Sequence, residues 1–147
     1  MASISGTSLE YTMKLTLTQG TQSVANNTTS VAWKLTFSNG QYRYENTVAT
    51  DTIKVTINGV VLTNKKYTIA FASKDMTKTI ASGTVSIPHN ADGTKSVAYS
   101  FGFTAGRTAS YYPSNISKSG TMKLTTIPRA SSISSITNDG MTVDGAK

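Results

Sequence analysis

SIPHNADGTKSVAYSFGF, residues 86–103, is the stretch that decides the fold. Val85 and Ile87 close an apolar alternation, and Pro88 ends it because proline has no backbone N–H to give. Asn90, Ala91, Asp92 and Gly93 then supply side chains that cap turns and a glycine that accepts positive φ. From Val97 the alternation resumes, with Val97, Tyr99, Phe101 and Phe103 on one face and Ala98, Ser100 and Gly102 on the other. A corner that opens into a strand with one bulky and one bare face predicts an inner strand of a sheet, with further strands packed on it.

Working outward, the same period of two recurs. Tyr11, Met13, Leu15 and Leu17 alternate with polar residues, as do Val31, Trp33, Leu35 and Phe37, where Trp33 is expected to anchor the core. Residues 19–27 look like a polar loop between these strands. Asn39 and Gly40 are a two-residue hairpin signal, with residues 41–45 as the return strand or a binding loop. Asn58 and Gly59 repeat the signal between Ile53, Val55, Ile57 and the run from Val60 to Leu62. Tyr67, Ile69 and Phe71 alternate again, residues 78–87 lead into the corner, and residues 116–127 form the last strand, with Met122 and Leu124 facing in. No stretch carries a helical period. About seven to nine short strands with regular turn signals predict an all-β, antiparallel two-layer sandwich, immunoglobulin-like, with a jelly roll as the alternative.

Composition supports this. The 147 residues include 44 Ser and Thr but only two glutamates, so β-branched and small polar residues replace good helix formers. The length suits one domain, read as residues 10–128, preceded by a flexible arm at 1–9 and followed at 129–147 by a Ser-rich linker or the start of a further domain. There is no cysteine, so core and ladders alone must hold the fold. No run approaches the ~20 apolar residues of a membrane span, and the start, MASISGTSLE, lacks the basic and apolar parts of a secretory signal. The net charge of +7 comes from singly spaced Lys and Arg, with Lys65 and Lys66 the one adjacent pair. That spacing matches solvent-side residues that protect strand edges better than it matches a nucleic-acid site.

The residues offer little for catalysis. His89 is the single histidine, placed in a turn after Pro88, where it is expected to bond the turn backbone. Asp51, Asp75, Asp92, Asp139 and Asp144 are scattered, so no enzyme, no cofactor and no metal site is expected. Asn90 to Gly93 has only part of a calcium loop's ligand spacing and reads as an Asx-capped turn. The candidate contact residues are instead loop aromatics and their polar neighbours: Tyr42, Arg43 and Tyr44 after the first hairpin tip, and Tyr111, Tyr112 and Asn115 before the last strand. Tyrosine offers a flat face with a polar tip, suited to stacking on sugar rings or anchoring a protein. The same tyrosines would serve equally to cover the ends of a core short of large side chains.

Three stretches carry a family resemblance: residues 11–37, YTMKLTLTQGTQSVANNTTSVAWKLTF; residues 82–103, SGTVSIPHNADGTKSVAYSFGF; and residues 117–134, SKSGTMKLTTIPRASSIS. HNADGTK at 89–95 and LTTIPRAS at 124–131 are the most specific parts. Together they resemble the N-terminal domain of minor structural, tail-associated proteins of siphophages that infect Gram-positive bacteria. The resemblance implies a virion component at the tail or baseplate, part of the host-attachment apparatus, working with other virion proteins in a larger homo-oligomeric assembly. It brings no catalytic residues. The alternative is a carbohydrate-binding adhesion module that recognises saccharide of the host wall or surface through the loop tyrosines.

Overall fold

The structure is a computed structural model of the 147-residue chain and describes residues 1–41, 44–45, 51–106 and 112–129. The described residues form ten strands: β1 (Ala2–Ser8), β2 (Tyr11–Ser23), β3 (Thr28–Ser38), β4 (Tyr44–Glu45), β5 (Asp51–Ile57), β6 (Val60–Tyr67), β7 (Ala70–Phe71), β8 (Thr77–Pro88), β9 (Ser96–Thr104) and β10 (Ile116–Lys123). Two four-stranded antiparallel sheets, ordered β1-β2-β3-β8 and β10-β9-β5-β6, pack face to face, and β4 pairs with β7 in a short ribbon. The fold is therefore an all-β sandwich, as the alternation predicts. The strand of residues 97–103 is an inner one, flanked by β10 and β5.

Strand periodicity builds the core. Met13, Leu15 and Leu17 of β2 and Val31, Leu35 and Phe37 of β3 are fully buried from one sheet, and Ile53, Val55, Val97 and Phe103 meet them from the other. The Phe37 and Phe103 rings lie 5.1 Å apart across the sandwich, and Phe71 and Tyr11 extend the aromatic cluster at 5.7 Å and 6.0 Å from Phe37. Every residue expected to face inward is buried except Val85, which is half-buried because β8 is an edge strand. Trp33 is buried as expected, with 8 % of its surface accessible.

Several local expectations change. The first residues are not a loose arm: Ala2–Ser8 pairs along its full length with β2, from Ala2 opposite Leu17 to Ser8 opposite Tyr11. The expected loop at 19–27 shrinks to a turn at 24–27, because β2 runs on to Ser23 through a register shift between Gln19 and Gln22. Asn58 and Gly59 do form a tight hairpin, both at positive φ (54° and 78°). Asn39 and Gly40 do not. The Asn39 side chain instead takes the Met76 N–H on Oδ1 and gives Nδ2–H to the Ser73 carbonyl, so β3 pairs with β8 rather than with its sequence neighbour. The last strand stops at Lys123, and Leu124 and Ile127 are buried beyond it without a ladder.

The two long sides of the sandwich differ. On one side β1 meets β10, and glycines let the backbones close: a Cβ on Gly6 would lie 2.6 Å from Ile116 Cγ2, and one on Gly120 would lie 2.7 Å from Ile4 Cγ2. Each isoleucine fills the space that a glycine leaves. On the other side β8 and β6, in different sheets, each have one strand neighbour only. One backbone edge of each is therefore unpaired among the described residues, and this side of the sandwich is open.

Candidate functional site

At one end of the sandwich the β1–β2 turn ties down the flanks of both tyrosine loops. Glu10 Oε2 accepts the Gln41 N–H at 2.9 Å, and Ser8 Oγ accepts the Ser114 N–H at 2.8 Å. Of the expected contact residues, Tyr112 is half-buried and packs against the core. Asn115 is exposed, but its Oδ1 accepts the Ala105 N–H at 2.9 Å and so closes its own loop. Tyr44 is described in its backbone alone, opposite Phe71. Tyr42, Arg43 and Tyr111 lie outside the described residues.

The opposite end holds the corner. Gly93 sits at φ +88°, and its carbonyl accepts from His89 Nδ1 at 2.7 Å and from the Ile127 N–H at 3.0 Å. A carbonyl only accepts, so Nδ1 carries the ring proton, and Nε2 takes the Thr29 hydroxyl at 2.6 Å. Both ring nitrogens are thus spent on structure. Asp92 Oδ1 accepts the Thr94 hydroxyl at 2.6 Å and the Thr94 N–H at 3.0 Å, and these bonds, the hydroxyl first, hold its carboxyl below the usual range. The corner is an Asx-type turn, as expected. Gln22 and Gln19 extend this framework by bonding the Thr125 carbonyl and hydroxyl, and Arg129 bonds the Val24 carbonyl. Among the described residues no group of three or more His, Cys, Asp or Glu is placed to hold a metal ion. The described residues contain no helix, and so none that is long and apolar enough to cross a membrane.

The open side combines exposed apolar surface with free backbone. Val60 is 57 % exposed and Val61 50 %, an unusual exposure for valines in strands. Val60 and Leu62 face Val85 and Ile87 across a groove of about 400 Å³ between β6 and β8. Lysines lie farther along the same two strands. Lys65 pairs with Ile53 and Lys78 with Phe37, so both stand in the core-facing rows of their edge strands. The Lys65 Nζ rests 5.3 Å from the centre of the Tyr67 ring. Trp33 reaches under Gly83 toward this side, where a Cβ on Gly83 would lie 2.9 Å from the indole Nε1. This geometry offers backbone pairing and apolar contact.

A protein-family model described as "Siphovirus protein of unknown function (DUF859)" matches residues 1–144. The chain belongs to this siphovirus family. No curated protein and no solved structure matches it. The match runs through the corner and both long sides of the sandwich, so the open edge is part of the siphovirus domain itself. Sequence reasoning on this siphovirus chain placed the contact residues in loops and passed over β6 and β8. A signal for β8 was nevertheless present: Gly83 within residues 77–88 and Pro88 at their end are residues that edge strands tolerate.

Proposed function

We propose that this domain is a non-enzymatic structural module of the siphovirus virion, at the tail or baseplate and within the host-attachment apparatus, and that it works by binding other virion proteins. The observation that carries this reading is the open side, where two unpaired strand edges flank an apolar groove. Exposed strand edges of this kind template pairing with another chain unless they are blunted, and an apolar patch beside them marks a contact surface. His89, which might have served as a base, is bonded through both ring nitrogens. The test is a phage carrying Val60→Lys and Val61→Lys, two exposed positions where substitution spares the core. Particles should assemble without this protein, or fail to assemble, while the purified variant chain keeps its melting temperature. Normal incorporation and normal infectivity would refute the reading.

A second reading is supported by the other end. The β1–β2 turn brings the flanks of both tyrosine loops together, which is the arrangement a saccharide-binding adhesion surface would need. In that reading the residues that contact host wall polysaccharide are the sequence candidates Tyr42, Arg43, Tyr44, Tyr111, Tyr112 and Asn115. Tyr111→Ala with Tyr112→Ala should then abolish binding of the chain to purified wall polysaccharide while the far-ultraviolet circular dichroism is unchanged. Absence of polysaccharide binding by the unmutated chain would end it.

A further inference from the structure

The open side is graded along its length. At the corner end, the core-facing rows present Val60 and Leu62 from β6 and Val85 and Ile87 from β8. At the other end the same rows present Lys65 and Lys78. Between them Gly83 adds no side chain over the Trp33 indole, which keeps 8 % of its surface accessible. Lys34 and Lys54 add charge of the same sign on the outer faces nearby, and Lys66 adds more on β6. Of the carboxylates with described side chains on β3, β5, β6, β8 and the turn at 73–76, Asp75 lies in that turn, and Asp51 is buried and accepts the Gly106 N–H. Among the described residues no ion pair joins a carboxylate to Lys65 or Lys78.

We propose that this side is a docking site for one extended strand of another virion protein, apolar at the end seated between Val60 and Ile87 and carrying carboxylates at the end seated between Lys65 and Lys78. The proposal rests on the assembly reading and names the chemistry of the partner. A strand laid along β8 uses that strand's free N–H and C=O groups, and its alternate side chains enter the groove, which is how strand addition gives affinity and specificity. Apolar residues at alternate positions meet the valines and isoleucine. Carboxylates some six residues farther on, at about 3.3 Å per residue, reach the lysines. A second copy of this chain is a poor occupant. Its edge strands, VVLTNKKY and TKTIASGTVSIP, bring lysines and no carboxylate.

The test uses the full 147-residue chain and two synthetic ten-residue probes. One has valine at positions one, three and five, glutamate at seven and nine and threonine elsewhere, and the other replaces glutamate by lysine. Trp33 is the only tryptophan, so its emission reports on occupancy of the site directly. The glutamate peptide should bind at least tenfold more tightly than the lysine peptide and shift Trp33 emission to shorter wavelength. Lys65→Glu with Lys78→Glu should invert that preference, and Lys65→Glu alone, at an exposed position, should reduce it if the double variant does not fold. Equal binding of both peptides, no binding of either, or a preference unmoved by the lysine changes would overturn the proposal, as would a dimer of the chain that buries β8. Hydrogen exchange of residues 77–88 in intact particles separates this from the assembly reading. Protection in the particle with no peptide preference refutes the acidic strand and leaves assembly standing, whereas exchange in the particle as fast as in the free chain refutes both.

Discussion

Gly93→Ala tests the corner most sharply. The residue sits at φ +88°, and an added Cβ would overlap the Ile127 carbonyl oxygen. The left-handed conformation alone costs an L-residue about 1–2 kcal/mol. The overlap must also push the run at 124–129 off the corner, because its obstacle is backbone and not a flexible side chain. That separates the Ile127 N–H from the Gly93 carbonyl and disturbs the His89 contact to the same oxygen, at about 0.5–1.5 kcal/mol each. Ile127, now fully buried, is partly exposed, which adds a share of the roughly 1.5–3 kcal/mol of a buried aliphatic side chain. The expected loss is about 3–6 kcal/mol, a large part of a typical domain's stability. Gly59→Ala is the control, since φ there is +78° but nothing lies within 4 Å of the added carbon. It should cost only the conformational part, about 1–2 kcal/mol. Urea midpoints of the two variants give the comparison. If they fall within about 0.5 kcal/mol of each other, the seating of Ile127 over Gly93 is refuted.

Thr29→Val leaves His89 Nε2 buried without its partner and should destabilise by about 1–3 kcal/mol in the same titration, whereas an unchanged midpoint would show that the ring is not held there. Asp92 has a lowered pKa when folded, so its stabilisation is present above its ordinary value of 3.8 and drains away as pH falls through the lowered one. The difference in Tm between Asp92→Asn and the unmutated chain should accordingly narrow below about pH 4, and a gap independent of pH would contradict the Thr94 bonds. Trp33→Ala should cost about 3–5 kcal/mol, and a loss under about 1 kcal/mol would mark Trp33 as a surface residue. Ile4→Ala should cost about 1–2 kcal/mol, less than a fully buried isoleucine because Ile4 is half-buried, and an unchanged urea midpoint would show that it does not fill the space at Gly120.

The sandwich was legible because period two is a local signal. Residues 97–103 show one bulky and one bare face whatever their neighbours do, and the structure buries the bulky one. Pairing partners were less legible. The Asn39 and Gly40 signal is identical in type to that at Asn58 and Gly59, yet Asn39 spends its side chain on Ser73 and Met76, residues more than thirty positions away in sequence. Ala2–Ser8 looked like an arm because serine and threonine give weak alternation, and its place is set by Gly6 and Gly120, whose meaning appears only when β1 and β10 are side by side. The open side was hidden for the same reason. Val85 reads as a core valine, and what leaves it half-buried is the position of β8 at a sheet edge, which no local pattern states.

The seam between β1 and β10 also governs when the fold can finish. Gly6 and Ile116 are separated by about 110 residues of chain, so at roughly 5–20 residues per second the partner of β1 arrives some 5–20 s after β1 itself. Until then β1 lacks the strand that it meets across the sandwich, and closing so long a loop is a late, slow step for a topology rich in distant contacts. The nascent chain therefore passes through a stage in which β3 and β8 are already synthesised, their edge unpaired, beside an uncovered core. Single-residue changes at Gly6 or Gly120 should prolong that stage, and their first visible effect would be aggregation during synthesis at high temperature, before any loss of equilibrium stability is measured.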